Sequence, residues 1–326
     1  MKGWNVIRAG LVGAGYIAEA HARSYAAHPD VRLTAVVSGH AERAESLAQR
    51  YGAQAFTDLN TLLESVDVVS ICTPTPTHAE IAIEAMRAGK HVLCEKPIAR
   101  TSAQAEEMIR DARETGAKLM IAHVARYEAD HRKAKEVLDR GDLGQLRMAS
   151  QSLCGPAPDW SSGGWMMDAA QSGGPILDLA IHSFDYLLWL FGERATRVYA
   201  VGDDKYAQVS VRFENGGMGL VEVSWAHPRA HGLIARTELV GAQGRLSWDY
   251  DGISSMQVIT DKAGKGNLLM VGEDSFVTQT AEFIRCLDDD MPPPISGNDG
   301  LAALRMALAA LESLETGRVI DPRGLK

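Results

Sequence analysis

The residues of this chain best suited to chemistry are Asp178, His182 and Asp185, set into an apolar helix. They lie in GGPILDLAIHSFDYLLWLFG, Gly173 to Gly192, where Ser183 is the only other polar residue after Pro175. At helical spacing the three stand at i, i+4 and i+7 and share one face. Ionisable groups in such a segment are costly unless they are paired or used. An Asp one turn below a His orients the imidazole and stabilises its charged form, an arrangement suited to proton transfer. Taken by itself the pair reads equally well as a buried His with a hydrogen-bonded partner. Asp185, one turn further on, is expected to be structural or an outer substrate contact.

A second group lies in the first third of the chain. GLVGAGYIAEA places Gly13-x-Gly15-x-x-Ala18 between a strand and a helix. The first Gly permits a tight turn, the second lets backbone approach a pyrophosphate at a helix N-terminus, and the third position needs only a small residue. Tyr16 and Ile17 follow at the helix start and are expected to border the dinucleotide. At the tip of the next strand an acidic residue would bind ribose hydroxyls and repel a 2′-phosphate. This chain has Ser38 instead, followed by Gly39, His40 and Arg43. Hydroxyl, imidazole and guanidinium donors without a carboxylate favour NADP over NAD.

Two further strand ends belong to the same edge. CTPTPTH, Cys72 to His78, carries Thr73 and Pro74 in a rigid turn, with Thr77 as a cap for the next helix. CEKP, Cys94 to Pro97, places Glu95 and Lys96 where open α/β sheets bind ligands. A lysine beside a cofactor holds a substrate hydroxyl and, if desolvated, exchanges a proton. Thr73, Pro74, His78, Glu95 and Lys96 are expected cofactor-binding positions. Like His78, the residues His123, His131, His227 and His231 show no paired signature and read as ordinary polar or core positions.

The elements that must position these groups change character midway. Strands and helices alternate through VIRAGLVGAG, VRLTAVVS, VDVVSIC, KHVLCE and KLMIAHV, which implies a parallel sheet with right-handed crossovers and a doubly wound α/β domain. After about Val124 comes a polar helix, Asp130 to Arg140, then a strand from Leu146 to Leu153 and a Gly-, Ser- and Trp-rich loop before the helix of Asp178. Hairpins follow, QVSVRF-ENGG-MGLVEVSW and TELV-GAQG-RLSWDY. DDDMPPP reads as a solvated loop before a last helix, Gly300 to Thr316. The expected division is residues 1–124 for the dinucleotide and 125–326 for substrate binding and oligomerisation.

Composition bounds the class. With 326 residues, 46% hydrophobic and 23% charged, the chain suits two globular domains. A net charge of -9 argues against a nucleic-acid or anionic-membrane partner. Cys72, Cys94, Cys154 and Cys286 are scattered, so neither a disulfide framework nor a metal site is expected. The first strand begins too near Met1 for a signal peptide, and no apolar run reaches the roughly twenty residues of a membrane span. The expectation is a cytoplasmic protein.

Taken in order, the glycine fingerprint, the TPT turn, EKP and GG…D-x-x-x-H resemble the Gfo/Idh/MocA oxidoreductases over nearly the whole chain. The resemblance implies an N-terminal Rossmann domain and a C-terminal α/β domain whose open, largely antiparallel sheet often forms oligomer contacts, hence a homodimer or homotetramer. By that analogy Lys96 is the family's EKP lysine, and Asp178 and His182 match its acid and histidine. The implied reaction is hydride transfer between a nicotinamide and a secondary alcohol of a sugar or polyol. His182 takes the hydroxyl proton, Asp178 stabilises the imidazolium and Lys96 holds the same oxygen. Substrate is expected between the domains, near Arg126 and Tyr127 and the loop residues Trp160, Trp165 and Asp168. Alternatives are a reductase of a non-sugar diol or dicarbonyl, and a sensor that binds dinucleotide or sugar without turnover.

Overall fold

The computed structural model describes residues 6–159, 161–192, 194–250, 255–260, 262, 264–269 and 272–325. Its first sheet is parallel and made from β1 (Ile7–Val12), β2 (Val31–Val37), β3 (Gln54–Phe56), β4 (Val68–Ile71), β5 (His91–Glu95) and β6 (Leu119–Ala122), in the order β3-β2-β1-β4-β5-β6. The apolar runs of β4 and β6 are buried throughout, as strands covered on both faces require. The covering helices are α1 (Tyr16–Ala27), α2 (Ala41–Tyr51), α3 (Leu59–Ser65), α4 (His78–Arg87) and α5 (Ser102–Thr115). Strand order reverses between β1 and β4, which places a ligand crevice beyond their carboxyl ends. β3 and α3 are additions to the sequence reading. β3 is a part-exposed edge strand of 3 residues, too short for a period. α3 is set by Asp58, whose carboxylate accepts the Thr61 N–H at 2.8 Å.

The second sheet follows α6 (Ala129–Asp139). It contains β7 (Leu146–Cys154), then, after the short α7 (Ala169–Ser172) and α8 (Ile181–Phe191), β8 (Ala195–Gly202), β9 (Tyr206–Phe213), β10 (Met218–Ser224), β11 (Ile234–Gly241), β12 (Gly244–Tyr250), β13 (Ser255–Thr260) and β14 (Gly264–Leu269). The order is β14-β13-β12-β11-β7-β10-β9-β8, antiparallel except for β7 with β10. Both expected hairpins form, β9 with β10 and β11 with β12. α8 lies close over this sheet, where Gly219 of β10 carries no side chain. Phe191 stacks on Phe213 at 4.3 Å, and a Cβ at Gly219 would fall 2.7 Å from Leu187 Cδ1. Gly219→Val is therefore expected to destabilise the protein by about 1–3 kcal/mol through overpacking, measured by urea unfolding.

The chain then returns. Contacts divide it into one unit of Met1–Tyr127 with Glu273–Leu301, and another of Glu128–Gly272 with Ala302–Lys326. A single cut after residue 124 leaves this return out. Its cause is packing: α9 (Ser275–Asp288) lies on α1, with the Ser24 and Thr280 hydroxyls 2.8 Å apart and Arg23 paired to Asp274 at 2.8 Å. Ile121 N–H also donates to the Ile295 carbonyl at 3.0 Å. The DDDMPPP stretch carries the chain from the end of α9 towards α10 (Gly297–Thr316), which starts one turn earlier than expected. Among the described residues no helix is long and apolar enough to cross a membrane. The four cysteines are free and buried.

Several carboxylates are held below their ordinary range. Burial opposes ionisation of Asp299, but Arg126 at 3.1 Å and Ser296 outweigh it. Asp67 is similar: burial raises it, and Arg8 at 2.6 Å lowers it further. Native values below unfolded ones give stabilisation that is complete above the unfolded value near about 4. It is lost as pH falls through the lower native values. The expected result is a urea midpoint level down to about pH 5 that drops steeply below about pH 4, with a smaller drop in Asp299→Asn.

Candidate active site

At the end of β1 the backbone of Gly13 has φ of +108°, and a Cβ there would sit 2.6 Å from the Cys72 carbonyl oxygen. Gly13 N–H donates to Val37 O at 2.8 Å. The turn is thus wedged between the ends of β2 and β4, where only glycine fits. Gly15 is the N-cap of α1, with no side-chain cap, and a Cβ on it would meet nothing within 4 Å. The backbone at this helix start is therefore open to close approach, which fits a dinucleotide pyrophosphate. Tyr16 is exposed and Ile17 half-buried at this rim, while Ala18 is fully buried against the sheet. Beyond β2, Ser38 is half-buried and Gly39, His40 and Arg43 are exposed. Ser38 Oγ accepts the His40 N–H at 3.2 Å, and Arg43 stands in the first turn of α2.

The β4 and β5 ends are tied together by His78. Its Nε2 bonds the Thr73 carbonyl at 2.9 Å and its Nδ1 the Pro97 carbonyl at 2.8 Å. Burial pulls this imidazole below its ordinary value, while the two carbonyls, each calling for an N–H, pull it up. His78 therefore braces two loops, a paired role that the sequence did not show. Thr77 occupies the N-cap of α4 without capping it, because its hydroxyl turns back to Pro74 O at 2.9 Å. Pro74 is exposed and Thr73 half-buried. Glu95 is buried and Lys96 half-buried, and the Lys96–Pro97 peptide is cis. Sequence reasoning missed His21, which is fully buried on α1 with Nε2 3.0 Å from Glu95 Oε1.

In the second unit the stretch bearing Asp178 and His182 is two structures, not one. Gly173 and Gly174 both have positive φ, 77° and 65°, and a Cβ on Gly174 would press on Asp204 O at 3.3 Å. A π-helical turn, Ile176–Ala180, then carries Asp178, and α8 carries His182. Such wide turns often mark functional sites. The expectation of one uniform helix is corrected here, since apolar periodicity does not register a single added residue. Asp178 and His182 are half-buried, whereas Asp185 is fully buried, as a structural role requires.

The expected substrate contacts divide. Arg126 and Tyr127 are each 8% exposed, and Arg126 is paired with Asp299. Trp165 is half-buried in the 3-10 turn Ser162–Met167. Asp168 is exposed and caps α7, accepting the Ala170 N–H at 3.0 Å and the Gln171 amide at 2.7 Å. Trp160 lies outside the described residues. His131 is paired after all, with Asp130 at 2.8 Å and Gln151 at 3.0 Å, packed edge-on to Tyr186. This network ties α6 to the sheet.

Comparison with known proteins identifies the family. The model for the oxidoreductase family with an NAD-binding Rossmann fold (GFO_IDH_MocA) matches residues 7–123, and that for the GFO/IDH/MocA C-terminal domain matches 131–247. The chain is 30% identical to myo-inositol 2-dehydrogenase of Thermotoga maritima, over 96% of this chain and 98% of that one. It is 31% identical to inositol 2-dehydrogenase of Rhizobium meliloti, over 97% and 99%. A structure of GenD2 from gentamicin A biosynthesis in complex with NAD superimposes with a TM-score of 0.85 at 27% identity, covering 98% of this chain and 97% of that one.

Proposed function

Because this chain belongs to the Gfo/Idh/MocA family of NAD(P)-dependent oxidoreductases, we propose that it uses NADP in preference to NAD to oxidise, reversibly, a secondary hydroxyl of a sugar, inositol or related polyol. The observation that carries the catalytic part is that Asp178, on the π turn, and His182, on the first turn of α8, are both half-buried in a segment whose other residues are mostly buried. The bound nicotinamide supplies the hydride chemistry. His182 takes the hydroxyl proton, Asp178 stabilises the resulting imidazolium, and the Lys96 ammonium holds the same oxygen. Trp165 and Asp168 are the substrate contacts this reading favours, a ring for a sugar face and a carboxylate for its hydroxyls. Arg126, paired with Asp299, also braces its own unit.

The cofactor preference rests on Ser38 and His40 beyond β2 and Arg43 in the first turn of α2, with no carboxylate at the strand tip itself. Ser38→Asp is expected to lower the ratio of kcat/KM for NADP over NAD by at least about tenfold, since a carboxylate repels the 2′-phosphate and binds ribose hydroxyls. An unchanged ratio removes this strand tip from the choice of cofactor.

The same reading gives a cytoplasmic homodimer or homotetramer built on the exposed face of the second sheet. Tyr199, Val201, Met218 and Leu220 are exposed apolar residues of β8 and β10. Arg236, Glu238 and Arg245 line a groove of about 500 Å³ on the same sheet. Sedimentation should show a species larger than one chain, dissociated by Leu220→Arg.

A further inference from the structure

The residues on either side of Lys96 are each anchored by a buried histidine. Pro97, after it, gives its carbonyl to His78. Glu95, before it, is 6% exposed and receives His21 Nε2 on Oε1 at 3.0 Å. A carboxylate only accepts, so this nitrogen carries the proton. The other carboxylate oxygen accepts the Lys96 backbone N–H at 3.1 Å. Behind the ring, Ser70 Oγ lies 3.0 Å from Nδ1, and the Tyr25 hydroxyl lies 2.7 Å from that Oγ. With Tyr25 donating to Ser70 and Ser70 to His21, every partner is satisfied and the chain of donors runs toward Glu95. The edge of Phe276 closes the ring in at 5.8 Å.

Such a chain is costly to bury, and an apolar set would fill the same space. Burial opposes the ionised Glu95, yet the hydrogen bond from His21, with the Lys96 charge nearby, holds its carboxyl below the ordinary range. The ionised carboxylate has one oxygen for His21 and one for the lysine amide.

We propose that His21 is a positioning residue for the reaction, fixing the Glu95 carboxylate that holds the Lys96 backbone and so setting where the Lys96 amine meets substrate. This rests on the assignment of Lys96 to the substrate oxygen. Small misplacements of a reacting group cost up to about 10²-fold in rate.

The test is a double-mutant cycle of His21→Ala, His21→Gln and Ser70→Ala, each with and without Lys96→Ala. His21→Ala is expected to lower kcat by about 10–100-fold, with dinucleotide Kd, read by fluorescence, close to that of the unmodified chain. His21→Gln, which keeps an N–H for Glu95, recovers most of the loss. In the Lys96→Ala background the same change alters kcat by less than about twofold. A readout without cofactor is acylation of the Lys96 amine by an activated ester, followed by mass spectrometry; its rate should change in His21→Ala and return in His21→Gln. If His21→Ala does not fold, the cycle is read on Ser70→Ala and His21→Gln. Losses that simply add, or an unchanged Lys96 acylation rate, overturn the positioning role. An undiminished kcat in Lys96→Ala overturns the assignment of Lys96 itself, and the positioning proposal with it.

Discussion

Replacing His182 with alanine is expected to lower kcat by about 10²–10⁴-fold, the ordinary worth of a general base. The dinucleotide Kd should stay within about twofold, because the fingerprint and strand tips proposed to hold it lie in the other unit. Folding should change little, since His182 is half-buried on α8, whose core is Phe184, Tyr186, Leu187 and Leu190. Asp178→Asn tests the second half of the pair: an amide keeps the shape and removes the charge that favours the imidazolium. Its loss should be smaller than that of His182→Ala, because the base remains but loses the charge that stabilises its protonated form. An unchanged kcat in His182→Ala removes this histidine from the proton path.

Gly13→Ala is expected to have the largest effect on the protein as a whole. The backbone at φ +108° disfavours any L side chain, and the new Cβ would sit 2.6 Å from a carbonyl oxygen that cannot swing aside. Strain of about 1–3 kcal/mol adds to overpacking of similar size. Together these are a large fraction of a domain's usual margin of about 5–15 kcal/mol. The melting temperature should fall sharply, and dinucleotide binding should be lost with the turn. Gly15→Ala supplies the contrast. Nothing lies within 4 Å of its Cβ, so the fold should hold while the new methyl blocks the pyrophosphate. A melting temperature in Gly13→Ala equal to that of the unmodified chain would contradict the wedged turn.

Most of the fold was legible because its signals are local. The fingerprint, the buried strand runs and the hairpin turns each fit within a dozen residues, and all take the expected form. What escaped depends on distance or on a single residue. β3 and α3 are too short to show a period. The return of α9 to α1 joins residues such as Ser24 and Thr280, 256 positions apart. His21 reads in sequence as one polar residue among the alanines of α1, and its partners lie 49 and 74 positions away. The π turn at Asp178 adds one residue to a helix that is apolar on most sides, leaving the hydrophobic pattern intact. Asp178 and His182 were nevertheless visible as polar intruders, and burial then separated them from Asp185.

The central claim is transfer of a hydride from a polyol carbon to a nicotinamide, and the most direct measurement follows reduced-nicotinamide absorbance. The full chain is mixed with NADP or NAD and a panel of inositols, aldoses and anhydro-sugars, with aromatic diols as the non-sugar arm. The account predicts turnover with at least one sugar or polyol, faster with NADP, that collapses in His182→Ala. Absence of turnover across the sugars and polyols, with the dinucleotide tightly bound or with only a non-sugar diol oxidised, would contradict it.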